Sequence, residues 1–178
     1  MKTRKELDFY DCAGEILHHL RHGGVLCTVV GESGVANLLT LGWGQIGPFY
    51  HGHPVFSIAV TPLRYSWRFL EQVPQFVIAV PDDSLRDAAD FCGTKSGREY
   101  EDKFRAAGLT PVPSVQVRPP SIAEAPINVE CRIYAKIAPP HMLLTPRHRR
   151  SPIEQQHTVY FAEVLGTYGW AAELTPSF

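Results

Sequence analysis

The sequence predicts a mainly β protein, an antiparallel barrel or sandwich whose openings are capped by a few short helices. Two observations carry that reading. About six short apolar runs alternate with turn signals, and few stretches hold a helical period for long. Fifteen prolines and fourteen glycines are spread along the 178 residues, which divides the chain into many short elements.

The elements follow in order. Residues 13–20 place Ile16, Leu17 and Leu20 at helical core spacing before Gly23 and Gly24 stop the helix. Residues 25–30 read as a buried strand, and 31–34 as the turn into a second strand from Asn37, so the two form a hairpin. That second strand alternates Asn37, Leu39, Leu41 and Trp43 against Leu38, Thr40, Gly42 and Gly44. A loop over 48–54 leads to a strand over 55–60, ended by Thr61 and Pro62. Tyr65, Phe69 and Val73 with Leu70 make a helical stripe over 64–73, and 76–80 returns as a strand. Asp82, Asp83 and Ser84 supply N-cap chemistry for a helix with Leu85, Ala88, Ala89 and Cys92 on one face. A polar loop and a short amphipathic turn come next, then a proline-rich connection carrying a short strand over 115–117. Residues 128–137 alternate Val129, Cys131, Ile133 and Ala135 against Asn128, Glu130, Arg132, Tyr134 and Lys136. A polar, proline-containing surface excursion occupies 139–156, and 157–166 is the last main strand.

The length suits one domain over 1–178 with a core large enough to need no disulfide or metal. With 17 basic and 18 acidic residues the net charge is −1, so no whole-chain field favours nucleic acid or an anionic membrane. Arg147, His148, Arg149 and Arg150 form the only basic run, without interleaved aromatics, and read as a solvated loop. No apolar run reaches the roughly 20 residues a membrane span needs, and no signal-peptide pattern opens the chain. The expectation is a cytoplasmic protein. Cys12, Cys27, Cys92 and Cys131 form no C-x-x-C pair and read as buried thiols.

Several constellations bear on chemistry. Gly42, Gly44 and Gly47 satisfy the G-x-G-x-x-G pattern of dinucleotide-binding folds. That motif needs a helix behind it and an acidic residue about 20 positions on. Here Pro48, Gly52 and Pro54 follow, and no Asp or Glu stands between Gly52 and Leu70, so the Rossmann reading is rejected. What remains is either a strand whose small residues admit a flat ligand or a bulged barrel strand. Lys95, Ser96, Gly97 and Arg98, with Lys103, form the best anion site in the chain, against the alternative of a solvated charged loop. Arg64, Tyr65 and Ser66 add a basic and hydroxyl group at a helix start. Together these suggest a ligand with one phosphate and a flat ring, which suits FMN better than ATP or NAD. His18 with His22, and His51 with His53, could be drawn as a zinc site, but no acidic or cysteine ligand accompanies either pair, and no metal is expected.

At these residues the chain resembles the flavin reductase-like family, in particular its flavoredoxin branch. The matches are Asn37-x-x-Thr40-x-Gly42-Trp43; Arg64-Tyr65-Ser66; Cys92-Gly93-Thr94-Lys95-Ser96-Gly97-Arg98 with Asp102-Lys103-Phe104 and Gly108-Leu109-Thr110; and His157-x-x-Tyr160-x-Ala162-Glu163-Val164. The resemblance implies a Greek-key split β-barrel with a few short peripheral helices, a homodimer, and one FMN per subunit at or near the interface. By position, Asn37 and Trp43 would line the ring and ribityl region. Arg64, Ser66, Ser96 and Lys103 would surround the phosphate, and His157 would lie where a nicotinamide or other electron partner must come. Thr40, Gly42, Tyr65 and Arg98 complete the implied cofactor-binding set. The chain departs from the pattern at Ala162, where glycine is usual, and in the longer 139–156 excursion. Three functions follow as expectations: an NAD(P)H oxidoreductase delivering electrons through bound flavin to free flavin or a ferric chelate, an FMN electron carrier reduced by a protein partner, or a split-barrel binding module without flavin.

Overall fold

The computed structural model describes residues 3–142, 144–145 and 152–171. Among the described residues ten strands, β1 to β10, span Thr3–Glu6, Val25–Val30, Ala36–Leu41, Gly44–Pro48, Pro54–Val60, Gln75–Val80, Pro111–Val112, Ser121–Ile122, Ile127–Ile137 and Thr158–Ala171. Four α-helices among the same residues, α1 to α4, span Ala13–Arg21, Trp67–Gln72, Arg86–Thr94 and Lys103–Ala106. The main sheet is antiparallel and runs β3-β2-β6-β9-β10-β5-β4, with β1 also paired to the end of β10. β3 and β4 are consecutive in sequence yet lie at opposite ends of that order. The sheet therefore curls until its two edges meet at the corner Gly42-Trp43, and the barrel is split there.

Period-2 alternation fills the barrel with Val25, Cys27 and Val29 of β2, Phe76, Ile78 and Val80 of β6, Val129 and Cys131 of β9, and Tyr160 and Ala162 of β10. Burial pushes the Cys27 and Cys131 thiols up, so they remain protonated apolar filler. The opposite faces of β2, β3 and β6 carry Leu26, Leu38 and Ala79 into a second core beneath α3, α4 and the segment 109–125. This is why every residue of β2 is buried. Gly24 has φ +89°, and a Cβ there would lie 2.7 Å from Thr40 Cγ2 and 2.9 Å from the Leu41 carbonyl oxygen. Only glycine turns the chain this tightly against β3.

The structure corrects several element assignments. Residues 115–117 are not a strand; the Val115 and Gln116 amides donate to the Glu130 carboxylate instead of to a neighbouring strand. Residues 44–48 form β4, hairpinned to β5 through a single 3-10 turn at Tyr50–Gly52. The helix expected over 64–73 is shorter, because 61–66 is spent on turns closed by Arg64 N to Thr61 O and Trp67 N to Arg64 O. The last strand runs on to Ala171 because it pairs β9 throughout and gains β1 as a second neighbour. The polar side of 127–137 is not solvated at its start. Asn128 and Glu130 are buried, Asn128 clamping Ile122 N, Ile122 O and Ala125 O. The basic run 147–150 lies outside the described residues. No helix among the described residues is long and apolar enough to cross a membrane.

Candidate functional site

Two adjoining cavities, each of about 150 Å³, open on the split side of the barrel. The first is lined by Asn37 of β3, Arg64, Tyr65 and Ser66 ahead of α2, and Ser96, Arg98 and Lys103 from the α3–α4 connection. The second is lined by Thr40, Gly42, Trp43, Arg64 and His157. Leu39 and Arg64 belong to both, so the cavities form one groove with Arg64 at its waist. The eleven residues singled out in sequence, distant along the chain, line this one groove. Leu39, Leu63 and Thr61 also line it; as apolar and turn residues they carry no distinguishing sequence signal.

The first cavity gathers cationic side chains. Lys103 is 4% exposed, and its ammonium donates to the carbonyls of Leu38 (2.8 Å) and Cys92 (3.0 Å), leaving one of three hydrogens uncommitted. Burial lowers its pKa, and the Arg64 guanidinium lowers it further. The Arg64 guanidinium donates to the Gly93 carbonyl at 3.2 Å. Among the described residues no carboxylate lies at ion-pair distance from Arg64, Arg98 or Lys103. The cavity thus gathers positive charge with no carboxylate at ion-pair distance among the described residues, an arrangement that can receive an anion.

The wall facing α2 is closely fitted. Buried Asn37 donates through Nδ2 to Ser66 Oγ at 2.8 Å. A Cβ at Gly97 would lie 2.3 Å from Asn37 Oδ1 and 2.9 Å from the Tyr65 ring, so glycine lets the charged loop close over Asn37. Asp102 caps α4 by accepting from Arg105 N at 3.0 Å, which fixes where Lys103 enters. The Cys92 thiol, also lining this cavity, is pushed up to about 11 by burial, partly offset by Lys103, and is not a nucleophile near neutral pH.

The second cavity is bounded by strand backbone and two stacked rings. Gly42 presents bare backbone, and Thr40 turns its hydroxyl away to the Ala89 carbonyl at 2.5 Å. Trp43, 63% exposed, stacks on His157 with ring centroids 4.5 Å apart and planes 20° from parallel. His157 is held from behind by the His141 ring, whose Nε2 lies 2.6 Å from the His157 carbonyl. Partial burial, then Arg64, then His141 lower the His157 pKa below 6.5.

The imidazole is thus less protonated than a free histidine at the same pH. An unfolded chain takes up this proton at higher pH than the folded protein does. His157 therefore destabilises the fold as pH falls through 6.5 toward its depressed native value, and has no such effect above it. An imidazolium stacked on an indole quenches its emission. Trp43 fluorescence is expected to fall with a midpoint below pH 6.5, and this step should vanish in His157→Gln, as a fluorescence titration of both proteins would show. A midpoint at or above 6.5 would contradict the electrostatics described.

The chain matches the family described as flavin reductase like domain over residues 17–173. An uncharacterized protein of Pyrococcus abyssi is 36% identical over 110 residues, which is 60% of this chain and 59% of that protein. Thus the match spans about three-fifths of that relative's length. An uncharacterized protein of Archaeoglobus fulgidus is 31% identical over 125 residues, 69% of each chain. Among solved structures, flavoredoxin of Desulfovibrio vulgaris (Miyazaki F) superposes with a TM-score of 0.64 at 24% identity, covering 80% of this chain and 67% of that one. The Streptomyces globisporus C-1027 NADH:FAD oxidoreductase superposes with a TM-score of 0.61 at 20% identity, covering 93% and 87%. A flavin reductase from Shewanella frigidimarina described as having a split barrel domain gives a TM-score of 0.64 at 14% identity, covering 90% and 74%. At such identities these structures speak for the split-barrel fold alone, whereas the match over 17–173 establishes kinship: the chain belongs to the flavin reductase like domain family.

Proposed function

We propose that the protein is an FMN-binding oxidoreductase that passes electrons from NAD(P)H through bound flavin to an acceptor such as free flavin or a ferric chelate. The observation that carries this reading is the single groove, cationic at one end and flat at the other, with Arg64 between. Its donor set suits a monophosphate, and its slot suits a planar ring. When bound, the flavin supplies hydride acceptance and onward electron delivery, so no side chain need act as acid or base in that step.

The residues bind and orient. Arg64, Arg98 and the free hydrogen of Lys103 would neutralise the phosphate, with Ser96 donating a hydrogen bond to it and Asn37 and Ser66 fixing its approach. Gly42 would let a planar ring approach the backbone, and the Trp43–His157 stack bounds the slot. His157, neutral near pH 7, adds no further positive charge where a nicotinamide would dock. The same reading makes the protein a cytoplasmic homodimer. An outer face with Trp43, Phe49, Tyr134 and Ile137 exposed supports the dimer.

The test is the visible spectrum of purified protein reconstituted with FMN, recorded anaerobically before and after NADH and then NADPH. Rapid bleaching by either nucleotide is the expected result. Yellow protein bleached by neither is an electron carrier served by a protein partner, and protein that takes up no flavin is a binding module.

A further inference from the structure

Helix α2 serves the groove at one end and the barrel at the other. The turn 61–66 ahead of it carries Arg64, Tyr65 and Ser66 to the groove, while Trp67 and Glu71, one turn apart and so on the same side of the helix, face β10. Alternation about the start of β10 sends Thr158 and Tyr160 to the inner face, where both are buried, and His157 and Val159 to the outer one. Tyr160 stands directly opposite Lys136 of β9, so their side chains rise on one face of the sheet.

Three side-chain bonds fasten α2 to that face. Trp67 Nε1 donates to Thr158 Oγ1 at 3.1 Å, the Tyr160 hydroxyl donates to one Glu71 oxygen at 2.7 Å, and Lys136 Nζ donates to the other. Burial, then the Glu71 carboxylate, raise the Tyr160 pKa, so the phenol stays a donor. With six residues, α2 is too short for its own backbone bonds to fix its direction. We propose that Glu71 is a positioning residue of the groove: held by Tyr160 and Lys136, it sets the rotation of α2 and with it the reach of the Arg64 guanidinium toward His157. Its effect on flavin binding rests on the flavin reading above.

The link from Glu71 to Arg64 is mechanical. Arg64 N donates to Thr61 O and Trp67 N to Arg64 O, both at 3.0 Å, so the turn and the helix start move as one piece. Without Glu71 the helix keeps the Trp67 bond as a pivot, and turning about it takes Arg64 out of its place between the two cavities. Among the described residues the charged and titratable groups that act on His157 are Arg64 and His141. Losing Glu71 has two effects of opposite sign on the His157 midpoint: removing a carboxylate lowers it, whereas releasing Arg64 raises it. A raised midpoint is thus the mark of positioning and not of lost charge.

The His157-dependent step in Trp43 emission is titrated in flavin-free wild type, Glu71→Ala and Tyr160→Phe, each variant also in the Arg64→Ala background, and FMN is titrated into wild type and the two single variants by calorimetry. Tyr160→Phe cuts one of the Glu71 bonds while keeping every charge and nearly all of the packing, so it decides the matter even where Glu71→Ala does not fold. In both variants the midpoint is expected to rise by about 0.3 pH unit or more as the Arg64 charge recedes. In the Arg64→Ala background neither change should move it, since the charge being positioned is gone. FMN binding should weaken about 3- to 10-fold, a part of one charge-assisted contact. A midpoint that stays or falls in Tyr160→Phe overturns the proposal. So does a rise that persists without Arg64, which would show β10 loosening around His157. A raised midpoint with unchanged FMN affinity overturns the part of Glu71 in the flavin site. Failure of wild type to bind FMN overturns the flavin reading, while the midpoints still decide whether Glu71 places Arg64.

Discussion

Glu130→Ala is expected to lower the stability of the protein by about 3 kcal/mol, the scale of two charge-assisted hydrogen bonds lost from a buried carboxylate. Glu130 is fully buried and spends one oxygen on Val115 N at 2.8 Å and the other on Gln116 N at 2.6 Å. Those bonds anchor a segment that is tied elsewhere through Gln116 to the Leu165 carbonyl and through Arg118 to the carbonyls of Gly31 and Glu32. Freed from Glu130, the segment exposes the outer faces of β6 and β9. Glu130→Gln should recover only about half of the loss, because a carboxamide keeps one acceptor and turns an N–H donor toward a backbone N–H. Urea unfolding of the three proteins measures this. Midpoints that do not move would show that the segment is held by its other contacts.

The outline of the barrel was legible because its strands announce themselves by period. Val25–Val30, Gln75–Val80 and the odd-numbered apolar residues of Ile127–Ile137 read as strands from alternation or continuous apolarity alone. Gly44–Pro48 and Thr3–Glu6 did not. One is glycine-rich and the other polar, and both exist as strands because a neighbour accepts their backbone bonds. The buried face of Glu130 was hidden for the same kind of reason: a carboxylate in an alternating strand looks solvated until another segment covers it. In the site, residue types were legible but not their commitments. Lys103, Thr40 and Asn37 stand in the groove, yet their polar groups are largely taken by Leu38, Cys92, Ala89 and Ser66. Such pairings depend on distances between elements, which no local spacing encodes.

Arg64 lines both halves of the groove, and on the proposed reading Arg64→Ala is expected to weaken FMN binding by about 10- to 100-fold, the range of one charge-assisted phosphate contact. Affinity alone would not separate a direct contact from a disturbed groove, but Arg64 also reports through its neighbours. Its charge is the second cause, after burial, of the lowered His157 pKa, and it depresses Lys103 as well. In the flavin-free protein, Arg64→Ala should therefore move the Trp43 emission midpoint upward toward 6.5, while wild type stays lower. Arg64→Lys separates the two roles. An ammonium keeps the positive charge, so the midpoint should stay near that of wild type, yet it cannot offer the planar paired donors of a guanidinium, so only part of the affinity should return. Loss of affinity with an unmoved midpoint in Arg64→Ala would mean that the guanidinium does not reach the His157 end of the groove. A moved midpoint with affinity intact would take Arg64 out of the phosphate contact and leave that work to Arg98 and Lys103.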